Sequence, residues 1–126
     1  MFSHVMLGAN DLEDSKTFYD ATLAVFGYKS GVLDQLGRYF YFTDTGIFAI
    51  TKPINDEPAG HGNGSTIGFA AKTPAEVDAW HATGVANGGI LCEDPPGLRE
   101  GAGMKLYLAY LRDPAGNKVC ALYNMS

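Results

Sequence analysis

Few residues in this chain could carry chemistry. It holds three histidines, His4, His61 and His81, and two cysteines, Cys92 and Cys120. Arg38, Arg99 and Lys105 are cations able to receive a carboxylate or phosphate, although a solvated surface role is the ordinary one for each. No nucleophile–base pairing, phosphate loop or zinc knuckle is present. Gly101-Ala102-Gly103 reads as a flexible loop. His81 follows an apolar tryptophan on a helical pattern and reads as a helix-flank residue. His61 lies in a glycine-rich stretch and reads as solvated, though such a loop could fold over a cleft.

His4 stands apart because the chain repeats itself around it. A shift of 62 positions lays Ser3 on Ser65, His4 on Thr66, Val5 on Ile67 and Leu7 on Phe69, and without a gap Phe18 on Trp80 and Gly27 on Gly89. The chain therefore reads as two copies of one supersecondary unit, with a histidine in the first where the second has a threonine.

The elements that must position these residues follow from local pattern. His4 to Ala9 is a strand, with Val5 and Leu7 on one face and His4 and Met6 on the other. Asp11 caps a helix whose apolar stripe includes Leu12, Phe18, Tyr19, Leu23 and Phe26, and Gly27 ends it. Strands are predicted at Tyr28 to Leu33, Gly37 to Thr43 and Ile47 to Thr51, which makes the unit βαβββ. Residues 53–64 are rich in Pro, Gly and Asn and form a linker. The second copy opens with a strand from Ser65 to Ala71. A capping box follows at Thr73-Pro74-Ala75-Glu76, then a helix with Val77, Trp80, Gly84 and Val85 buried. A short strand Ile90 to Glu93 leads into a long loop, residues 94–103. Strands Lys105 to Leu111 and Lys118 to Tyr123 flank a tight turn at Asp113-Pro114-Ala115-Gly116-Asn117.

With 126 residues the chain makes one domain, 1–126, with units at about 1–52 and 65–126. The net charge of −5 argues against a nucleic-acid or anionic-membrane surface. No apolar run approaches a membrane span, and the N-terminus lacks a signal-peptide pattern. Two cysteines then read as reduced thiols, and the expected location is cytoplasmic.

The order and spacing of these motifs resemble the vicinal oxygen chelate superfamily, which includes glyoxalase I, bleomycin- and fosfomycin-resistance proteins and extradiol dioxygenases. The matching stretches are His4-Val5-Met6-Leu7-Gly8, Asp11-Leu12 with Phe18-Tyr19, Thr66-Ile67-Gly68-Phe69, Pro96-Gly97-Leu98-Arg99 and Arg112-Asp113-Pro114-Ala115-Gly116-Asn117. The resemblance implies an α+β fold in which tandem βαβββ units form a curved, eight-stranded, cleft-shaped sheet with helices on its outer face, usually in a homodimer. It also implies a divalent metal held by equivalent positions of the two units. The first ligand is usually a strand-one histidine, matched by His4. The second is usually histidine or glutamine, where this chain has Thr66. The third is usually a glutamate, where this chain has Cys120. The acidic ligand that some members carry on the first unit's last strand has no counterpart from Ile47 to Thr51.

Since open sites of this kind generally take about three protein ligands, the expected protein is a metal-free binder of the bleomycin-resistance type. Its small-molecule pocket is expected to involve His4, Met6, Thr66 and Cys120, with Arg99 from the long loop and Tyr41 and Tyr107 from the strands. The alternative is a metal-dependent lyase or dioxygenase acting on vicinal oxygens, with a divalent metal on His4 and Cys120. A third reading is a structural dimer with no small-molecule role.

Overall fold

A computed structural model describes residues 1–126. The first unit runs β1 (His4–Gly8), α1 (Leu12–Ala24), β2 (Val32–Leu33), β3 (Tyr39–Phe42) and β4 (Ile47–Thr51). The second runs β5 (Ile67–Ala70), α2 (Pro74–Ala86), β6 (Ile90–Leu91), β7 (Gly97–Gly101), β8 (Met104–Arg112) and β9 (Lys118–Asn124). Each unit folds into its own mixed sheet, ordered β1-β4-β3-β2 and β5-β9-β8, with β6 and β7 both on the free side of β8. The architecture is α+β with two tandem units, as expected, and neither sheet closes.

Two differences have clear physical causes. There are nine strands rather than eight, in two sheets, because the second unit's edge strand is split around Asp94-Pro95-Pro96. Residues 94–103 are not one long loop: Gly97–Gly101 pairs along β8 from Met104 to Leu108. The hairpin turns at Ala102 and Gly103, both left-handed with φ 50° and 76°, the backbone that two-residue hairpins require.

Both helices begin as their caps dictate. The Asp11 carboxylate accepts from Asp14 N at 3.0 Å, and Thr73 Oγ1 from Glu76 N at 3.1 Å. Both pack on one side of the sheets, in a core containing Phe18, Tyr19, Leu23, Val77 and Trp80. The strands contribute Val5 and Leu7, Phe48 and Ile50, Tyr39 and Tyr41, Val119 and Ala121, and Ala109 and Leu111. The alternate residues face away from the helices.

The units are tied together at the Asp113–Asn117 turn. Buried Asp113 accepts the Tyr19 hydroxyl at 2.6 Å and Asn117 Nδ2 at 2.9 Å through one oxygen, and the backbone N–H groups of Ala115 and Asn117 through the other. Asn117 Nδ2 also donates to the Gly8 carbonyl of β1, at 2.9 Å. Burial, reinforced by Asp113, pushes the Tyr19 hydroxyl well above its ordinary pKa. The motif that carried the resemblance is thus a structural clasp. The linker is strapped nearby: Ala59 N donates to Asn10 Oδ1 at 2.7 Å, and His61 packs against Gly116.

Candidate functional site

β1 and β5 each end their sheet, so each presents one row of backbone groups with no strand partner. A cavity of about 330 Å³ lies between them. Its walls come from His4 and Val5 of β1, Ile47 and Phe48 of β4 and all of β5, with Leu23 and Tyr28 from the end of the first helix region. Met1 and Phe2 cover one side, and the turn Thr43 to Gly46 closes another. That turn is held by Thr43 Oγ1, which donates to the Gly46 carbonyl at 2.7 Å and accepts from Gly46 N at 3.1 Å. Ten of the fifteen lining residues are hydrophobic, the composition of a pocket for an apolar molecule with a few orienting polar groups.

His4 is the one histidine in this lining, which also holds the Tyr28 phenol. Its Nδ1 lies 2.8 Å from Ser3 Oγ, and its Nε2 has no partner in the chain. A second, larger groove of about 1120 Å³ runs past Met6, Asn10, Arg38, Thr51 and Lys52, beneath the linker. Only four of its thirteen lining residues are hydrophobic, so it is the poorer pocket for an apolar molecule despite its size.

The other residues singled out from sequence are dispersed. Met6 lies on the same face of β1 as His4 but borders the second groove. Thr66 is exposed, one residue before β5. Cys120 sits on the face turned from the helices, and a Cβ on Gly68 would lie 3.1 Å from its sulfur. Burial raises the Cys120 thiol to about 11, against a smaller opposing pull from Lys118. Arg99 lies on β7, not in a loop. His81 is half-buried on α2, where burial lowers its pKa against the opposing Asp78.

Two aromatic assignments are corrected. Tyr41 is fully buried on the helix side, where its hydroxyl donates to Asp20 Oδ1 at 2.8 Å. Burial, and then Asp20, raise its pKa. Tyr107 also faces the helix side, donating to Asp78 Oδ1 of α2 at 2.8 Å. The open faces instead carry Phe40 and Phe42, stacked with centroids 5.9 Å apart, and Tyr110 beside Cys120. Sequence reading also missed Phe2, Tyr28, Thr43 and Thr45 in the cavity. They come from irregular segments whose approach to β5 has no local signature.

The donor set does not fit a divalent metal. Nowhere do three His, Cys, Asp or Glu side chains gather closely enough to hold one. The positions where the resemblance places ligands offer one imidazole, one weakly ligating hydroxyl and one thiol that burial keeps protonated. Thiols ligate as thiolates.

Comparison with known proteins follows the same lines. The sequence profile of the Glyoxalase/Bleomycin resistance protein/Dioxygenase superfamily matches residues 1–121. A crystal structure of a glyoxalase/bleomycin resistance protein from Albidiferax ferrireducens T118 is 63% identical, covers 98% of each chain and superposes with a TM-score of 0.94. A lactoylglutathione lyase from Agrobacterium tumefaciens is 26% identical over 98% of this chain and 92% of its own, with a TM-score of 0.66. A glyoxalase-related enzyme from Fulvimarina pelagi, 22% identical over 98% of this chain and 88% of its own, shares the fold at a TM-score of 0.71. Comparison with curated proteins gives no match.

Proposed function

The chain belongs to the glyoxalase/bleomycin resistance protein/dioxygenase superfamily, and from that premise we propose that it binds a small, largely apolar molecule without the family's metal. The observation that supports this reading most directly is the cavity between β1 and β5, with its apolar walls and the single imidazole of His4. The free Nε2 supplies one hydrogen bond to orient the ligand, and Thr43 and Thr45 also line the cavity. The partner in solution is a second copy of the chain, which would cover apolar side chains exposed at the outer edges of both sheets, among them Val32, Leu33, Leu91 and Leu98.

Titration with the neutral fluorophore N-phenyl-1-naphthylamine tests the binding site. A Cβ at Gly46 would meet only ordinary van der Waals neighbours, the nearest at 3.8 Å, so Gly46→Leu fills the cavity without straining the fold. Affinity falls at least about tenfold, equivalent to 1.4 kcal/mol. Unchanged affinity in Gly46→Leu would remove the cavity as the site. The alternative, a metal-dependent lyase or dioxygenase, is supported by His4 at the first-ligand position and by the overall family pattern. Stoichiometric retention of Ni, Zn, Mn or Fe(II), lost in His4→Ala, would establish it instead.

A further inference from the structure

The inner edges of both sheets offer unpaired backbone to the cavity. Bonds from Ile47 N to the Ser3 carbonyl and from Ala9 N to the Thr51 carbonyl set the phase of the β1–β4 ladder. Ser3, Val5, Leu7 and Ala9 therefore turn their backbone groups to β4, and His4, Met6 and Gly8 turn theirs away. On β5, Ala71 N donates to the Leu122 carbonyl of β9 at 2.8 Å. Ile67 and Phe69 follow the same phase, so Gly68 and Ala70 point out of the sheet. Of these outward groups, only the Gly8 carbonyl has a partner, Asn117 Nδ2. His4, Gly68 and Ala70 all line the cavity.

Exposed strand edges are ordinarily kept short, charged or interrupted by proline. The outer edges follow that rule: β2 and β6 have two residues each, and β7 carries Arg99 and Glu100. The inner edges do not. Ser3 to Ala9 holds no lysine, proline or carboxylate, and Ser65 to Ala71 holds no charged residue or proline. Gly68 and Ala70 are exposed, so their N–H and C=O groups are within reach of a ligand. The flanking side chains are apolar, with Val5, Phe48, Ile67 and Phe69 lining the cavity from the helix side. An extended peptide matches a row of main-chain donors and acceptors beside an apolar wall. Its backbone pairs with the edge while alternate side chains enter the wall. The edge of a second folded copy does not fit, because Met1, Phe2 and the Thr43–Gly46 turn flank the cavity and would meet the layers that come with its sheet.

We propose that the ligand of this cavity is a short peptide in extended conformation with an apolar side chain at its centre. Its main chain bonds to Gly68 and Ala70 of β5 and to His4 of β1. The peptide occupies the cavity proposed above, so the assignment rests on that reading and narrows the class of molecule. A hydrocarbon would leave the outward backbone groups unpaired, whereas each peptide unit brings one donor and one acceptor.

The blocked peptide N-acetyl-alanyl-leucyl-alaninamide is titrated into the full chain. Binding is followed by amide hydrogen exchange and by displacement of N-phenyl-1-naphthylamine. The peptide is expected to slow exchange at His4, Gly68 and Ala70 and to displace the fluorophore. An analogue N-methylated at the leucine and the alanine that follows it keeps the side chains and loses two donors. It binds at least about tenfold more weakly. Proline is accepted on a strand edge whose N–H points outward. Ala70→Pro therefore removes one donor, and the ratio of peptide to fluorophore affinity falls about threefold or more. Exchange is read in the parent protein, so the outcome does not depend on that variant folding. Equal binding by the methylated analogue would overturn the proposal, as would peptide binding that leaves exchange at Gly68 and Ala70 unchanged. The two readings fail separately. Fluorophore held in the cavity and not displaced by the peptide removes the peptide and keeps the cavity. Unchanged fluorophore affinity in Gly46→Leu removes the cavity and the peptide with it.

Discussion

Asp113 accepts four hydrogen bonds while almost completely excluded from solvent. Removing a buried acceptor leaves its donors unsatisfied, at about 1–3 kcal/mol for each group that water cannot reach. Asp113→Ala is therefore expected to lose about 3 kcal/mol or more in urea unfolding, and Tyr19→Phe about 1–2 kcal/mol. A loss below about 1 kcal/mol in Asp113→Ala would show that the turn does not clasp the units.

Cys120 gives a prediction in pH. Its thiol is raised from 9.0 to about 11, so well below pH 9 it is protonated in both folded and unfolded chains and contributes no pH dependence. Between those values the unfolded chain releases the proton and the folded chain retains it, so stability falls as pH rises, by up to about 3 kcal/mol. Cys120→Ala should show a smaller drop in urea midpoint between pH 8 and 10.5 than the parent, and an equal drop would exclude the thiol as the cause. At this scale the sequence was informative about His4, because the internal repeat set it against Thr66. It was silent on Tyr41 and Tyr107. The runs Tyr39-Phe40-Tyr41-Phe42 and Leu106-Tyr107-Leu108 are apolar in both phases, so alternation cannot assign a face. The deciding partners, Asp20 and Asp78, lie on helices distant in sequence.

Among the elements, the two helices meet at Gly84. A Cβ there would lie 2.4 Å from Leu111 Cδ1 and 3.2 Å from Phe18 Cε1. Alanine in a helix ordinarily gains about 1 kcal/mol over glycine. Here overpacking costs about 1–3 kcal/mol, so Gly84→Ala should destabilise. Leu111→Val, which removes Cδ1, should relieve part of that loss, and a double-mutant cycle measures the coupling as a double variant more stable than additivity predicts. Strictly additive effects would locate the strain elsewhere. Both helices were legible in sequence because Asp11 and Thr73 are strong caps. β7 was not, because its glycines and the preceding prolines carry loop chemistry, and its strand character comes from pairing with β8.

For the whole molecule, the tandem arrangement was legible because the repeat runs through both units without a gap. The separation into two sheets was not, since it depends on two edges that do not pair. Exposed apolar residues at the outer edges set the expectation for assembly. Sedimentation equilibrium should give twice the chain mass, and Leu33→Lys with Leu98→Lys should return the monomer. A monomer in the parent protein would exclude the second copy as partner.

The Asp113–Asn117 clasp also bears on how the chain reaches this state. Its bonds join residues 94 and 109 positions apart, Tyr19 to Asp113 and Gly8 to Asn117. Loop-closure entropy must be met before such contacts return any stability, and folding slows as mean contact separation grows. During synthesis, the first unit leaves the ribosome with its Tyr19 hydroxyl and Gly8 carbonyl waiting for a turn that lies in the second unit. The clasp can therefore form only after the second unit's turn has been made, which makes the signature turn a late, long-range contact for the first unit.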